Sequence, residues 1–504
     1  MATPLLNRPY WLEHATTDYP SLTRDLDVEV AVIGAGITGL SAAHLLKQAG
    51  KTVAVVEMNR IGYGATGYTT AKLAVGHSLV YAALTESYDV ETASRYARSN
   101  QEAIEQVARI VSELSIQCDF EWASNYVYTE SRESVERIER EVEAARAAGV
   151  EAELTTDTDL PYPITGAVKV AGQAQFHPWK YLAALARAVD GDGSHVFEAT
   201  RATRVRSGSP SVVETAHARV RAGHVIVATQ LPFLDRGLFF AKAHPTTSYA
   251  IAAAVDAGSA PRGMYISVDR PTRSVRSTVG EDGRRILIVG GEGHKPGAEL
   301  DTRRCYERLE AFLADRFEAT AEYRWSTHDY ASLDKLPYIG RLRRRDERIL
   351  AATGFAKWGM TKGTLAASML TDAILGRPNE YEDLYDANRV GARRALATFA
   401  KENTAVAAFF FRDRTRRRPG EDEVERLAPG EGVVARIGGK HYAVSRKDDG
   451  ELLTLSARCT HLGCVVGWNS ADRAWECPCH GSRYAADGTL VQGPATKDLP
   501  SQHW

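Results

Sequence analysis

The stretch Val28-Glu29-Val30-Ala31-Val32-Ile33-Gly34-Ala35-Gly36-Ile37-Thr38-Gly39-Leu40 decides the fold, and the run Thr52-Val53-Ala54-Val55-Val56-Glu57 completes it. In order, these residues predict a buried strand, a glycine turn, a helix, a second strand and a terminal acid. Gly34 permits the tight turn, Gly36 lets the backbone approach a pyrophosphate whose charge meets the helix N-terminus, and Gly39 lets that helix pack closely on the strand. Glu57 follows about 20 residues after the turn, where a carboxylate accepts hydrogen bonds from a ribose. A lone glycine pattern is weak. Here strand, helix, second strand and acid stand in register and predict a dinucleotide site, with NAD and FAD equally compatible.

The 504-residue chain is too long for one ordinary core and implies two or three domains. Lys plus Arg (62) nearly balances Asp plus Glu (64), which gives no basis for a nucleic-acid or membrane-surface partner. Apolar runs stop well short of the roughly 18 residues of a membrane helix. The first 20 residues lack a signal-peptide pattern, so a cytoplasmic location is the expectation. Of six cysteines, Cys118 and Cys305 are isolated while Cys459, Cys464, Cys477 and Cys479 crowd together near the C-terminus, a pattern for a local cofactor site rather than a disulfide scaffold.

Beyond Glu57, the Gly/Thr-rich segment 60–72 offers backbone N–H and hydroxyl groups to a phosphate or flat ring. Helical periodicity covers 90–114 and 131–148, the latter rich in Glu and Arg at i,i+4 spacing. Phe176-His177-Pro178-Trp179 opens a further helix, with His177 as a helix-start residue. Strands at 202–205, 211–215 and 224–229 return the chain to the nucleotide sheet, and those at 248–255, 264–268 and 285–289 predict a second, more antiparallel sheet over the substrate. A third return runs through Asp334-Lys335-Leu336-Pro337-Tyr338-Ile339-Gly340 and strand 349–354 to the glycine turn Gly354-Phe355-Ala356-Lys357-Trp358-Gly359 and a helix over 364–375. A second helix N-terminus there suits a cofactor long enough to span the sheet. The five arginines of 412–418 and the acidic run after them read as a connector.

The C-terminal motif is the most specific. Cys459-Thr460-His461-Leu462-Gly463-Cys464 precedes Cys477-Pro478-Cys479-His480-Gly481-Ser482-Arg483-Tyr484 by twelve residues. Cys459 and Cys477 on one iron with His461 and His480 on the other would build a [2Fe–2S] cluster. The same four residues could hold zinc, although zinc would not explain Cys464 and Cys479.

This paired box resembles that of the Rieske [2Fe–2S] family. The resemblance implies that Cys464 and Cys479 form a disulfide joining the two loops. It also implies that the hydroxyls of Ser482 and Tyr484 tune the cluster through its sulfurs, and that Gly493-Pro494-Ala495 covers it. The first four hundred residues resemble the FAD-dependent amine and amino-acid oxidases, which include D-amino-acid oxidase, sarcosine oxidase and glycine oxidase, and more narrowly the bacterial flavoproteins with a C-terminal Rieske domain. That likeness rests on the two glycine turns, Glu57, the segment 64–72 and the segments 334–340 and 353–361.

The implied fold is an α/β FAD-binding Rossmann-like domain with an antiparallel-sheet substrate domain, plus an all-β Rieske domain. Its expected limits are 1–410 for the flavoprotein (FAD parts 27–80, 150–235 and 330–400; substrate parts 81–150 and 236–329), 411–424 for a linker and 425–504 for the cluster domain. The implied FAD contacts are Gly34, Gly36, Ile37, Thr38, Gly39, Glu57, Met58, Ala65, Thr66, Thr69, Thr70, Lys72, Val205, Thr229, Gly354, Phe355, Lys357, Trp358, Gly359, Met360 and Thr361. Where some relatives attach FAD through a histidine this chain has Tyr68, so FAD is expected to be noncovalent. Lys357, His328 and Tyr249 are the candidate catalytic residues, with Tyr265 and Arg276 as further substrate contacts.

The expected activity is oxidation of an amine or amino-acid-like compound by hydride transfer to flavin N5. Electrons would then pass through the cluster to an acceptor protein, a quinone or O2. One alternative is an O2-using oxidase whose cluster is a redox sensor or docking module. Another is an NAD(P)H-dependent reductase, but its only further glycine-rich candidate, Gly290-Gly291-Glu292-Gly293-His294, lacks the spacing and the acid. A Rieske oxygenase would need a separate iron domain, for which the chain has no room.

Overall fold

The computed structural model describes residues 5–280, 283–299, 301–389, 402–404 and 418–503. The opening stretch folds as expected. Strand Leu26–Ile33 leads through Gly34–Gly36 into helix Ile37–Gln48, and Val53–Val56 pairs parallel beside it. Its alternating first half turns fully buried at Val30–Ile33, as a central parallel strand covered on both faces requires. The sheet has eight strands. Along its main path lie Tyr338–Arg341, Ile349–Thr353, Arg219–Val227, Leu26–Ile33, Val53–Val56 and His195–Phe197, with the hairpin Arg204–Arg206/Ser211–Glu214 attached to Arg219–Val227.

The second glycine turn brings helix Gly359–Leu375 against helix Ile37–Gln48, and both share a core with the long helix Val90–Glu113. Close approach is built in. A Cβ on Gly363 would lie 2.8 Å from Ile37 Cγ2 and from Thr38 Oγ1, and a Cβ on Gly39 would lie 1.9 Å from the Gly34 carbonyl oxygen. The helix also begins earlier than the expected 364, because Gly359–Gly363 already adopt helical conformation.

A nine-stranded sheet stands beside this layer in the order Tyr323–Ser332, Ala243–Val255, Arg285–His294, Arg273–Val279, Met264–Ser267, Glu121–Thr129, Gly166–Gln175 and Lys72–Leu73, with Ala152–Thr155 off the path. Two expectations are corrected. Strands Ala152–Thr155 and Gly166–Gln175, assigned to an FAD part at 150–235, pair with Glu121–Thr129 and each other in the second sheet. Helix Val90–Glu113, assigned to the substrate part 81–150, packs on the nucleotide helices. Strand periodicity sets which face is buried but not which sheet is joined. Gly290–His294, already lacking the spacing of a nucleotide motif, lie inside a strand rather than a phosphate turn.

Of the expected linker 411–424, residues 411–417 lie outside the described residues, and so does the basic run apart from Arg418. Helix Glu421–Glu425 opens the C-terminal domain. That domain is all-β, with a three-stranded sheet (Gly432–Ile437, Lys440–Arg446, Leu452–Ser456) and a four-stranded one (Gly467–Asn469, Ala474–Glu476, Arg483–Ala485, Leu490–Gln492). Among the described residues no helix is long and apolar enough to cross a membrane. We expect Gly39→Ala to lose about 3 kcal/mol of stability through overpacking against the Gly34 carbonyl, read as a lower midpoint of the first urea transition followed by circular dichroism.

Candidate functional site

A cavity of about 840 Å³, within the range of cofactor sites, runs along the C-terminal ends of the parallel strands. At one end Gly34, Gly36, Ile37 and Thr38 line it together with Glu57, Met58, Ala65 and Thr66. Gly36 caps the helix without a side chain, and Thr66 Oγ1 accepts the Ile37 N–H at 3.1 Å, so the Gly/Thr loop closes over the helix N-terminus. Glu57 accepts N–H bonds from Ala35 and Asn59, both at 2.9 Å. Burial raises its pKa, and those backbone donors oppose the rise.

The loop continues along the cavity through Thr69, Thr70 and Lys72. Trp11 Nε1 donates to the Thr69 carbonyl at 2.7 Å and Trp325 Nε1 to the Tyr68 carbonyl at 3.0 Å. Thr229, Phe355, Lys357, Trp358, Gly359 and Met360 form the far wall.

Four expected cofactor contacts lie off this cavity. Gly39 instead contacts the Gly34 carbonyl, and Gly354 takes a left-handed conformation (φ +80°) against Ser332. Thr361 Oγ1 accepts the Ala74 N–H at 3.1 Å. Val205 is buried in the core beside Val213, while Arg201 and Ala202 reach the cavity. Two expected substrate contacts are also structural. Tyr265 bonds Asp159, and the fully buried Arg276 donates to the carbonyls of Thr70 and Ala71 at 3.1 and 2.7 Å, which fixes the cofactor loop from behind. Tyr249 does line the cavity, its ring 5.6 Å from that of His294.

Strand Tyr323–Ser332 divides the molecule. Trp325, Thr327 and Asp329 face the cavity. The alternate residues face the C-terminal domain: Ser326 Oγ donates to Asp472 at 2.5 Å, His328 Nδ1 donates to the Gly481 carbonyl at 3.0 Å, and Tyr330 donates to the His480 carbonyl at 2.8 Å. This period-two alternation corrects the expectation for His328, which is fully buried on the side away from the cavity, with Nε2 3.3 Å from Glu476. Burial would raise the pKa of Glu476, but His328, Arg483 and Asn469 outweigh it and bring it down to about 2. Arg483 spans Asp472 at 2.6 Å and Glu476 at 3.4 Å.

The C-terminal loops bring all four expected ligands together. The sulfurs of Cys459 and Cys477 approach within hydrogen-bond reach, and the rings of His461 and His480 lie 5.0 Å apart. Nδ1 of each histidine is buried with no hydrogen-bond partner. Two thiols and two orphaned imidazole nitrogens fit a two-iron centre with sulfur ligands on one iron and nitrogen ligands on the other. A single zinc ion fits less well. Its tetrahedral donors would stand roughly 3.3–3.8 Å apart at bond lengths of about 2.0–2.3 Å. Among the described residues, the only ligand group gathered within 4.8 Å is Cys464, Cys477 and Cys479.

Cys464 and Cys479 form the expected disulfide. Tyr484 OH lies 3.2 Å from Cys459 Sγ, and Ser482 Oγ accepts the Ala495 N–H at 3.0 Å. His461 Nε2 donates to Asp235 at 2.8 Å and Phe240 lies edge-on to both imidazoles, so the histidine side of the centre faces the first domain.

The match to known proteins agrees with this geometry. Residues 29–373 match the family model described as FAD dependent oxidoreductase, and residues 421–503 match the Rieske [2Fe-2S] domain. The chain belongs to the FAD-dependent oxidoreductase family and carries a Rieske domain. Its cofactors are accordingly FAD and a [2Fe–2S] cluster. It is 34% identical over 496 residues to the putative Rieske 2Fe-2S iron-sulfur protein YhfW of Bacillus subtilis, covering 97% of this chain and 96% of that one. It is 24% identical over 382 residues to gamma-glutamylputrescine oxidoreductase of Escherichia coli, covering 72% and 87%. The fold of glycine oxidase from Geobacillus kaustophilus superposes with a TM-score of 0.62 at 17% identity, covering 73% of this chain and all of that one.

Sequence reasoning missed one wall of the flavin cavity. Leu490–Thr496 of the Rieske domain line it, Asn59 Nδ2 donates to the Val491 carbonyl at 3.3 Å, and Met58 packs against the Rieske core. No local signal marks such a contact between residues over 400 positions apart. We expect Arg483→Met, which removes the cation shared by Glu476 and Asp472, to cost about 3–5 kcal/mol. Urea unfolding and faster amide exchange across both 323–332 and 469–484 would report the loss.

Proposed function

We propose that the protein oxidises an amine or amino-acid-like substrate at the flavin and sends the electrons through its own Rieske cluster to an external acceptor. The observation that carries this reading is the dividing strand, with Thr327 and Asp329 on the flavin cavity and Tyr330, one residue on, bonded to the carbonyl of the cluster ligand His480. Bound in this cavity, FAD supplies hydride acceptance from a C–H bond beside nitrogen, and the cluster supplies one-electron transfer. Gamma-glutamylputrescine oxidoreductase, a relative over the flavoprotein part, supports a substrate with an amine.

In this proposal the loop residues 63–72 hold the dinucleotide and Glu57 holds its ribose. Lys357 is held in a left-handed turn (φ 72°) by its N–H bond to Asp329, and it lines the cavity. Burial lowers its pKa, with Asp329 opposing. Together with the N-terminus of helix Gly359–Leu375 it would stabilise negative charge on the ring. Tyr249 stays a neutral phenol because burial raises its pKa, and it is placed to orient substrate. FAD is held noncovalently, with Tyr68 on the cavity wall.

Two measurements test the route. After anaerobic mixing with a panel of amines and amino acids, stopped-flow spectra should show flavin bleaching followed by cluster bleaching. His461→Ala should keep the first phase and lose the second, with turnover on a one-electron acceptor falling at least about tenfold. Unchanged rates with both O2 and the artificial acceptor would overturn the relay. Tyr484→Phe removes a donor to the Cys459 sulfur and should lower the cluster potential by roughly 50 mV, one charge-assisted hydrogen bond of about 1.4 kcal/mol at about 59 mV per tenfold. Protein-film voltammetry would read the shift.

A further inference from the structure

Asp329 is a carboxylate on the cavity wall that neither motif accounts for. Oδ2 accepts the Lys357 N–H, and the N–H of Tyr330 also faces the group. Among the described residues no Lys, Arg or His forms an ion pair with it within 4.0 Å. The positive charges on the surrounding elements contact other groups. Lys357 Nζ lies against Gly293, where a Cβ would stand 2.6 Å from it, and Lys362 Nζ donates to the Lys335 carbonyl at 3.4 Å beside the ring of Tyr96. Lys72 Nζ is tied to the Tyr265 carbonyl at 2.5 Å and Ser274 at 2.7 Å, and Arg308 to Glu292 at 2.6 Å. An enclosed carboxylate with no ion-pair partner is costly unless a ligand supplies a cation in contact with it.

We propose that Asp329 seats the positively charged nitrogen of the substrate amine and accepts its proton before oxidation. This rests on the amine-oxidation reading above. In the step, an N–H bond of the ammonium breaks, an O–H bond forms on Asp329, and the electron pair stays on nitrogen; nothing is oxidised or reduced. The lone pair so exposed lets the neighbouring carbon release hydride and form the C=N bond. Burial raises the pKa of Asp329, opposed by the backbone donors and by Lys357 and Lys362, which makes it a better proton acceptor than a solvated carboxylate. From the packed elements, Thr246 stands opposite on the neighbouring strand, and Ser248, Glu292 and His294 share the cavity. A second carboxylate on the carbon bearing the nitrogen would meet Asp329 at close range, so simple amines are favoured over α-amino acids.

The test uses the full holoenzyme. Tetramethylammonium, an unreactive cation, should perturb the flavin spectrum of the wild-type protein while acetate does not. Asp329→Asn, whose amide oxygen can still accept the Lys357 N–H, should weaken that binding at least about tenfold, and Asp329→Glu should restore most of it. With primary amines, the rate of anaerobic flavin reduction should fall as pH drops through the Asp329 pKa in the wild type, and in Asp329→Asn this acid limb should be displaced upward to the pKa of the free amine. Equal affinity for tetramethylammonium in wild type and Asp329→Asn, an unchanged acid limb, or a preference for acetate would overturn the assignment while flavin reduction by amines or amino acids still upheld the oxidase reading. Flavin that no amine or amino acid reduces would overturn both.

Discussion

Strand Tyr323–Ser332 serves two sites at once because successive side chains in a β-strand point to opposite faces. Trp325, Thr327 and Asp329 belong to the flavin cavity, while Ser326, His328 and Tyr330 belong to the Rieske interface. No loop or linker intervenes, so a shift of this strand by one residue would exchange the two sets and abolish both surfaces. Its pairing with Ala243–Val255 over ten residues, from Ala243↔Ser332 to Ala252↔Tyr323, holds that register.

The cluster domain is joined to this strand by charge as well as shape. Glu476 and Asp472 are buried beside Arg483, and His328 and Ser326 reach them from the first domain. Such groups are costly to bury singly and tolerable only when every partner is present, so the interface favours one docking geometry over sliding alternatives. A second set of contacts, Asp235 on His461 and Arg201 on Asp498 at 2.9 Å, lies around the cluster and its proline loop. His461 and His480 therefore face the flavoprotein, and the Rieske loop 490–496 in turn completes the cavity.

On the nucleotide side, the close contacts are backbone contacts. Gly39 lies on the Gly34 carbonyl and Gly363 on Ile37 and Thr38, so two helix N-termini converge on one cavity. Arg276 secures the intervening loop through the Thr70 and Ala71 carbonyls, a role that explains a buried arginine without assigning it to substrate.

What the sequence determined by itself was local chemistry. The glycine spacing at 34–39, the acid at Glu57 and the Cys/His spacing at 459–480 each mark a candidate site through residues close in the chain, and the fold brings Gly34, Gly36 and Glu57 to one cavity and the cysteines and histidines to one pair of loops. What only tertiary structure decided was the partner of each element. No strand is legible in 150–175, and only pairing with Glu121–Thr129 places these residues in the second sheet rather than with the FAD part. Strand identity likewise could not show that His328 and Asp329, adjacent in sequence, face different redox sites. Val205 and Ala202 lie three positions apart in one buried core, yet only Ala202 also reaches the cavity wall. Such outcomes depend on contacts between residues hundreds of positions apart, whose energies no local pattern encodes.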